Sequence, residues 1–382
     1  MKLCLFFTRS VSIESWYSSG LFHREKKIYE ELIKNNIYNE IYFITYDKDE
    51  RIYNKLIKNK LLNKNIKLIF PNNFFSKNKL TMFLYSVFLP ILERKIIYKC
   101  DVIKSNQVDG SWAAIISKFL FRKKYIFRSG YLPSRNLLVD LKRSRNIIKF
   151  NKILAKFIFY KIVESMNKYS SDFTILTSNQ DKDYLCDTKA IVIPNYIDTD
   201  LFKPLNLNLY TKKILFVGRL SEEKNLFNLI KAITNTKYSL DIYGEGSLLN
   251  NLRKIDINKR VTFKGILAND KMPYIYNKYK FFILPSYYEG NPKTLLEAMS
   301  CGLVCIGTNV QGINELLNND NGILIKNTKE EELCNTINSL EKINNIDSLR
   351  KNAINFISNH CSFDLVSKKE IFVHKNIIKC LN

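Results

Sequence analysis

Three short stretches carry the residue types that bind a phosphorylated ligand, and all lie in the second half of the 382-residue chain. The strongest is LPSYYEGNPKTLLEAMSCG, residues 284–302. An apolar run ends at Pro285, Glu289 and Gly290 sit in the following turn, and Pro292 opens a helix, where its missing N–H costs nothing. The backbone N–H groups of Lys293, Thr294 and Leu295 then face whatever lies beyond the strand end, a ready anion site. Glu297 follows Glu289 by eight residues, about 12 Å along a helix. The paired carboxylates of a glycoside hydrolase stand roughly 5–9.5 Å apart. These two glutamates instead suit separate contacts along one extended ligand, with a phosphate between them. Spacing alone leaves a second reading equally open, in which both are solvated helix charges.

The second stretch is ILFVGRLSEEKN, residues 214–225. A strand ends at Val217, Gly218 permits a sharp turn, and Arg219 and Lys224 follow. Arginine offers a fork of donors that matches phosphate oxygens, and lysine adds a compact charge. By itself this is also what an exposed basic loop looks like in a lysine-rich chain. The third stretch is DIYGEGSL, residues 241–248, where Gly244 and Gly246 suggest a tight turn with close backbone approach. A Gly-x-Gly pair is unspecific in isolation. Phe263-Lys264-Gly265 ends a further strand, with Leu267 just beyond.

Such loops need parallel strands to align them. The chain predicts strands at Lys2–Phe7, Ile41–Tyr46, Ile66–Phe70, Asp101–Lys104, Tyr125–Arg128, Phe173–Thr177 and Ala190–Ile193. Helices are expected near residues 21–35, 78–99, 111–121 and 145–170, and residues 8–20 read as a polar loop. After a linker punctuated by Pro194, Asn195 and Pro204, a second strand–helix series begins at Lys213. The alternation predicts an α/β protein of two doubly wound, Rossmann-like domains, residues 1–200 and 201–362, followed by a C-terminal helix, 363–382. Ligands in such sheets bind beyond the C-terminal ends of the strands, so the two domains are expected to face a cleft.

Taken in chain order, the Gly-Arg…Glu-Lys loop, the Gly-x-Gly turn, the Phe-x-Gly strand end and the Glu-x₇-Glu motif resemble one family. It is the retaining glycosyltransferases of the GT-B fold, family four, also called glycosyl transferases group 1. The likeness covers about residues 165–325. IPNYIDTDLF (193–202) resembles the family's linker, with Tyr196 in place of its usual glycine. The resemblance implies that Arg219 and Lys224 bind the donor pyrophosphate, Glu289 the hydroxyls of the transferred sugar, and Glu297 the ribose. Backbone at Gly218, Gly244, Gly246 and Gly290–Leu295 would complete the donor site, and Gly265–Leu267 would line the base. The last helix would cross back onto the N-terminal domain. On the acceptor side the resemblance suggests Gly20, from the Ser18-Ser19-Gly20 turn, with Arg128 and Tyr131 from IFRSGYLPS. His23 reads as part of the first helix.

The family needs neither metal nor cofactor. None of Asp47/Asp49, Asp181/Asp183 and Asp198/Asp200 is therefore read as a metal site. The implied partners are a nucleotide-sugar donor and a saccharide acceptor, in polysaccharide or lipopolysaccharide synthesis. Three alternatives remain at this level: a soluble rather than lipid-linked acceptor, a non-catalytic sugar-nucleotide binding module, and a nucleic-acid binder. The last lacks any recognised binding-module pattern.

The formal charge is +24, and residues 51–160 hold 24 Lys/Arg against 4 Asp/Glu. That excess suits an anionic membrane surface, or reflects a composition heavy in lysine throughout. The apolar run Leu80–Leu92, flanked by Lys77, Lys79, Arg94 and Lys95, is too short to span a bilayer, which needs about 20 residues. A buried core helix and a helix lying in the membrane interface both fit it. Eight scattered cysteines include no Cys-x-x-Cys pair, against a structural zinc site. No export signal is evident in MKLCLFFTRS. The expected location is the cytoplasm, peripheral at the inner face of the membrane.

Overall fold

The structure, a computed structural model, describes residues 1–18, 20–47, 50–71 and 78–381. Ser19, Asp49 and Lys77 therefore lie outside the described residues. The chain divides into two compact units, Met1–Ile193 with the segment from Ser367 onward, and Pro194–Val366. The sequence boundaries stood at 200/201 and 362/363. The first differs because the chain past Ile193 already bonds within the second unit: Ile197 N–H donates to Cys361 O at 2.8 Å, and Phe363 N–H to Ile197 O at 2.9 Å.

The first unit is built on seven parallel strands: β1 (Lys2–Phe6), β2 (Glu40–Ile44), β3 (Ile66–Ile69), β4 (Val102–Ser105), β5 (Lys124–Ser129), β6 (Phe173–Leu176) and β7 (Ile191–Val192). Their order is β3-β2-β1-β4-β5-β6-β7. Leu3, Cys4 and Leu5 are all buried, as a parallel sheet covered on both faces requires. The second unit has six parallel strands: β8 (Tyr210–Val217), β9 (Ser239–Tyr243), β10 (Val261–Gly265), β11 (Tyr279–Leu284), β12 (Val304–Thr308) and β13 (Ile323–Ile325). Their order is β10-β9-β8-β11-β12-β13. Each sheet reverses direction once, beside β1 and β4 in the first and beside β8 and β11 in the second. These are the switch points where such sheets take ligands.

Several elements differ from the sequence reading. The polar stretch 8–20 contains a helix, Ile13–Ser18. Its first N–H groups, Ile13 and Glu14, donate to the Asp47 carboxylate at 2.9 and 2.8 Å, a contact across 34 and 33 residues that no local pattern announces. The 78–99 helix is two, Lys79–Leu92 and Arg94–Lys99, the first started by a reciprocal Asn78–Thr81 capping box. A helix at Pro133–Arg143 precedes the long one, Ile147–Ser170, whose Asn146 side chain accepts from Ile148 and Lys149 N–H.

The last helix, Phe363–Lys379, begins in the second unit and runs mostly in the first. There Glu370 accepts from Lys104 Nζ at 2.9 Å and from Arg128 Nε at 3.0 Å, all three largely out of solvent. Burial would raise the Glu370 pKa, but Lys104 and Arg128 hold it at about 2. His374, one turn on, bonds Tyr38 Oη through Nδ1 at 2.8 Å. Burial, reinforced by Lys104, lowers its pKa to about 3 against the opposing pull of Glu370.

Candidate active site

The second unit's loops after β8, β9 and β10 are knitted backbone to backbone. Gly218 N–H donates to Tyr243 O at 3.0 Å, Leu220 N–H to Glu245 O at 2.9 Å, and Gly244 N–H to Gly265 O at 2.8 Å. Glycine is required where these chains cross. A Cβ on Gly244, whose φ is +143°, would lie 1.9 Å from Gly218 O, and one on Gly246 would lie 2.3 Å from Leu220 O. The Gly-x-Gly pair thus clamps the Gly218–Leu220 turn and sets the direction in which Arg219 leaves it. Arg219 is 83% exposed in its side chain and, among the described residues, pairs with Glu223 at 3.9 Å. Leu267 is half-buried against the core beyond Gly265.

Lys224 and Glu289 meet at the switch point. Lys224 closes a short 3₁₀ turn, and Asn225 behind it takes a left-handed conformation, φ +55°. The Asn225 amide then donates to Pro285 O at 3.0 Å and Thr328 O at 2.9 Å, fastening this turn to the end of β11. Tyr287 N–H donates to Glu223 O, adding a second tie. Lys224 Nζ consequently lies 2.6 Å from Glu289 Oε1, which also accepts from Ser286 Oγ at 2.6 Å. Among the described residues no donor reaches Glu289 Oε2. The Glu289 backbone is fixed by donation to Gln311 O and by Gly312, where a Cβ would come within 2.4 Å of Glu289 O and Gly290 O.

Pro292 occupies the cap of the helix Lys293–Ser300 rather than its first turn. Leu295 and Leu296 N–H donate back to Pro292 O, so Leu295 is not among the outward-facing N–H groups expected, and the helix N-terminus stands at Lys293, directly after the Glu289–Asn291 turn. Asn291 is buried and exchanges two bonds with Asn195, accepting from its N–H at 2.9 Å and from its amide at 2.7 Å. Glu297 is 2% exposed, and its carboxylate accepts from Tyr276 Oη at 2.9 Å and Asn269 Nδ2 at 3.2 Å. It is not the solvated helix charge that spacing alone allowed. A cation, an exposed arginine, a helix N-terminus and the Glu289 carboxylate therefore share one strand-end edge, with the buried Glu297 carboxylate one turn further along the helix.

Residues 198–359 match the model of the family described as glycosyl transferases group 1. The chain carries a glycosyl transferases group 1 domain. It is 30% identical over 244 residues to the UDP-Gal:alpha-D-GlcNAc-diphosphoundecaprenol alpha-1,3-galactosyltransferase of Escherichia coli, covering 55% of this chain and 61% of that protein. It is 27% identical over 282 residues to an uncharacterized glycosyltransferase of Methanocaldococcus jannaschii, covering 70% and 71%. The GT-B fold is shared with solved glycosyltransferases. Sucrose-phosphate synthase from Thermosynechococcus elongatus superposes over all of both chains with a TM-score of 0.78 at 17% identity. Anabaena HepE, solved with UDP and glucose, gives 0.71 at 16% identity over 98% of this chain and all of that one.

Within the group 1 domain, Ser286, Asn225, Gly312, Asn269 and Tyr276 are contributors that sequence reasoning missed. Only Asn225 left a local sign, as a residue tolerant of left-handed backbone directly before a helix. Outside that domain, the three acceptor-side residues are not alike. Gly20 (φ +73°) makes the turn between the helices Ile13–Ser18 and Phe22–Lys34, well past the end of β1. The glycine that packs on the end of β1 is Gly110, whose Cβ would lie 3.0 Å from Arg9 N. Arg128 is held by Glu370, whereas Tyr131 is exposed. Among the Asp-x-Asp pairs, Asp47 serves the Ile13 helix and the buried Asp181 pairs with Arg135 at 3.2 Å.

Proposed function

We propose that the chain is a glycosyltransferase that moves a sugar from a nucleotide-sugar, UDP- or GDP-linked, to a saccharide acceptor. The acceptor is lipid-linked, the new bond is α with configuration retained, and the product belongs to cell-surface polysaccharide or lipopolysaccharide. The observation that carries this reading is the Lys224–Glu289 contact beside the helix N-terminus at Lys293, with Arg219 exposed on the same edge. The printed name of the Escherichia coli relative, with its UDP-sugar donor and diphosphoundecaprenol acceptor, supports the substrate classes.

In this reading the bond from the sugar's anomeric carbon to the β-phosphate oxygen breaks while negative charge grows on the phosphate. Arg219, Lys224 and the N–H groups of Lys293 and Thr294 are preorganised to hold that charge. Lys224 keeps two further protons for phosphate while one serves Glu289. Glu289 Oε2 accepts from a sugar hydroxyl, and Glu297, oriented by Tyr276 and Asn269, addresses the ribose. The acceptor hydroxyl attacks the anomeric carbon from the leaving-group face, and its proton passes to the departing phosphate oxygen. Fixed cations do the work of a metal, and the enzyme acts at the cytoplasmic face of a membrane.

The test is a transfer assay with UDP- and GDP-sugars on a diphosphate-lipid-linked sugar, with the product's anomeric configuration read by NMR. An α-linked product is expected, with turnover falling roughly 10²–10³-fold in Arg219→Ala and in Lys224→Ala, as when one preorganised donor is lost. A β-linked product would refute retention. Unchanged turnover in both variants would refute the roles given to the two cations.

A further inference from the structure

Three helices of the first unit lie side by side, Trp112–Phe121 packing between Lys79–Leu92 and Ile147–Ser170. An ordinary surface helix turns polar residues outward. These do not. Leu80, Leu84, Phe88 and Leu92, each one turn apart, are exposed on the first helix, which has no charged residue from 80 to 92. On the long helix Ile148, Phe159, Ile162, Met166 and Tyr169 fall on one face and are exposed, from 43% at Phe159 and Met166 to 80% at Tyr169. The middle helix adds Phe119 and Leu120.

The stripes join into one surface. The Trp112 ring stands 6.0 Å from Phe83 on one neighbour and 5.9 Å from Phe159 on the other. The Arg9 guanidinium, just past the end of β1, lies 5.6 Å from the Phe83 ring and 6.0 Å from Trp112. The patch therefore reaches the strand-end edge of the first sheet. Scattered apolar side chains on a surface need no explanation, but a continuous patch across three helices marks a contact surface.

Charge selects the occupant. Most of the patch sits within residues 51–160, where 24 Lys/Arg face 4 Asp/Glu. Lys152 and Lys156, both exposed, border the stripe on the long helix, and Lys95, Lys99 and Lys123 lie beyond the ends of the other two. A second copy would bring this excess against itself, and a nucleic acid would leave the apolar side chains uncovered. An anionic bilayer answers both, taking apolar groups into the headgroup–acyl boundary and lysines onto acidic headgroups. Among the described residues no helix is long and apolar enough to cross a membrane, so the contact is one that lies on it.

We propose that this three-helix face docks the protein onto an anionic lipid bilayer. It does so whether or not the transfer reaction assigned above is correct, and it brings the Arg9 edge of the first sheet to the membrane plane. The test is flotation of the full chain with vesicles of phosphatidylglycerol and phosphatidylethanolamine, against vesicles of phosphatidylcholine alone. Binding is expected to the anionic vesicles and at least about tenfold weaker to phosphatidylcholine. Lys152→Gln and Lys156→Gln should each weaken it about fivefold. Ile148→Ser with Ile162→Ser should weaken it at least about tenfold while leaving the thermal midpoint unchanged, because both side chains are exposed. If that pair lowers the midpoint, Phe88→Ser on the neighbouring helix gives the same reading. No flotation at low salt overturns the proposal. So does binding that salt abolishes and that the apolar variants leave intact, or a lipid-free dimer that Ile148→Ser with Ile162→Ser dissolves.

Discussion

Replacing Gly244 by alanine should disrupt the loops after β8, β9 and β10 far more than the same change at Gly265. A Cβ at Gly244 would sit 1.9 Å from Gly218 O, and its neighbour's carbonyl is part of the turn carrying Arg219. Relieving the overlap moves the two loops apart by about 1 Å or more and strains or breaks three bonds, Gly218 N to Tyr243 O, Leu220 N to Glu245 O and Gly244 N to Gly265 O. At about 0.5–1.5 kcal/mol per bond, with about 1–3 kcal/mol for an L-residue held at φ +143°, the cost is about 2.5–7.5 kcal/mol. A unit of this size loses about 2–4 °C of Tm per kcal/mol, so a fall of at least about 5 °C is expected. Gly265 (φ +70°) has only Glu245 Oε1 near a new Cβ, at 3.8 Å, so Gly265→Ala should cost about 1 kcal/mol. Gly246, outside the positive-φ set but 2.3 Å from Leu220 O, isolates the steric part and should fall between them. Scanning calorimetry of the three full-length variants measures this. A Gly244→Ala midpoint equal to that of Gly265→Ala would refute the reasoning that backbone contact makes the Gly-x-Gly pair necessary.

Lys224→Met should lower Tm by several degrees as well as turnover, because it strands the mostly buried Glu289 with Ser286 as its remaining partner; a thermal melt at neutral pH checks this. Transfer should survive excess EDTA, and an activity assay that lost signal until a divalent cation returned would contradict the fixed-cation reading. Acid should weaken the first unit. The unfolded chain protonates His374 near pH 6.5 whereas the folded one resists until about 3, so each pH unit below 6.5 favours unfolding by up to about 1.4 kcal/mol. Glu370, folded pKa about 2, adds in the same direction below about 4.5, and melts of His374→Gln should show a flatter decline between pH 6.5 and 4.5.

The turns that place Arg219, Lys224 and Glu289 on one sheet edge were legible because their signals are local. Gly218 before Arg219, Gly244 and Gly246 after a strand, and Glu289 eight residues before Glu297 each state a turn or a helix in a few residues. The alternating strands were legible for the same reason, apart from the short β13, which follows an asparagine-rich loop rather than a clear strand signal. What escaped depends on distant partners. Arg128 looked free in IFRSGYLPS, yet it is bound by Glu370, 242 residues away. Gly20 stood out as the first glycine after β1, but the close approach there is made by Gly110 through a fold contact with Arg9. The Asn195–Asn291 exchange and the Tyr276–Glu297 bond likewise join elements that only the folded sheet brings together. The apolar run at 80–92 illustrates a further limit, since periodicity alone does not say whether the stripe faces the core or solvent.

On the proposed function, the Arg219–Lys224–Glu289 edge binds a nucleoside diphosphate and its sugar. A thermal-shift panel with UDP, GDP, ADP and their sugar conjugates tests it most directly. At about 100 times Kd, a true ligand adds roughly 2.7 kcal/mol, or about 5–10 °C for a unit of this size. Such a shift is expected with one nucleotide family and should be lost in Arg219→Ala. No shift with any of them, or a shift that Arg219→Ala and Lys224→Ala both leave intact, would contradict it.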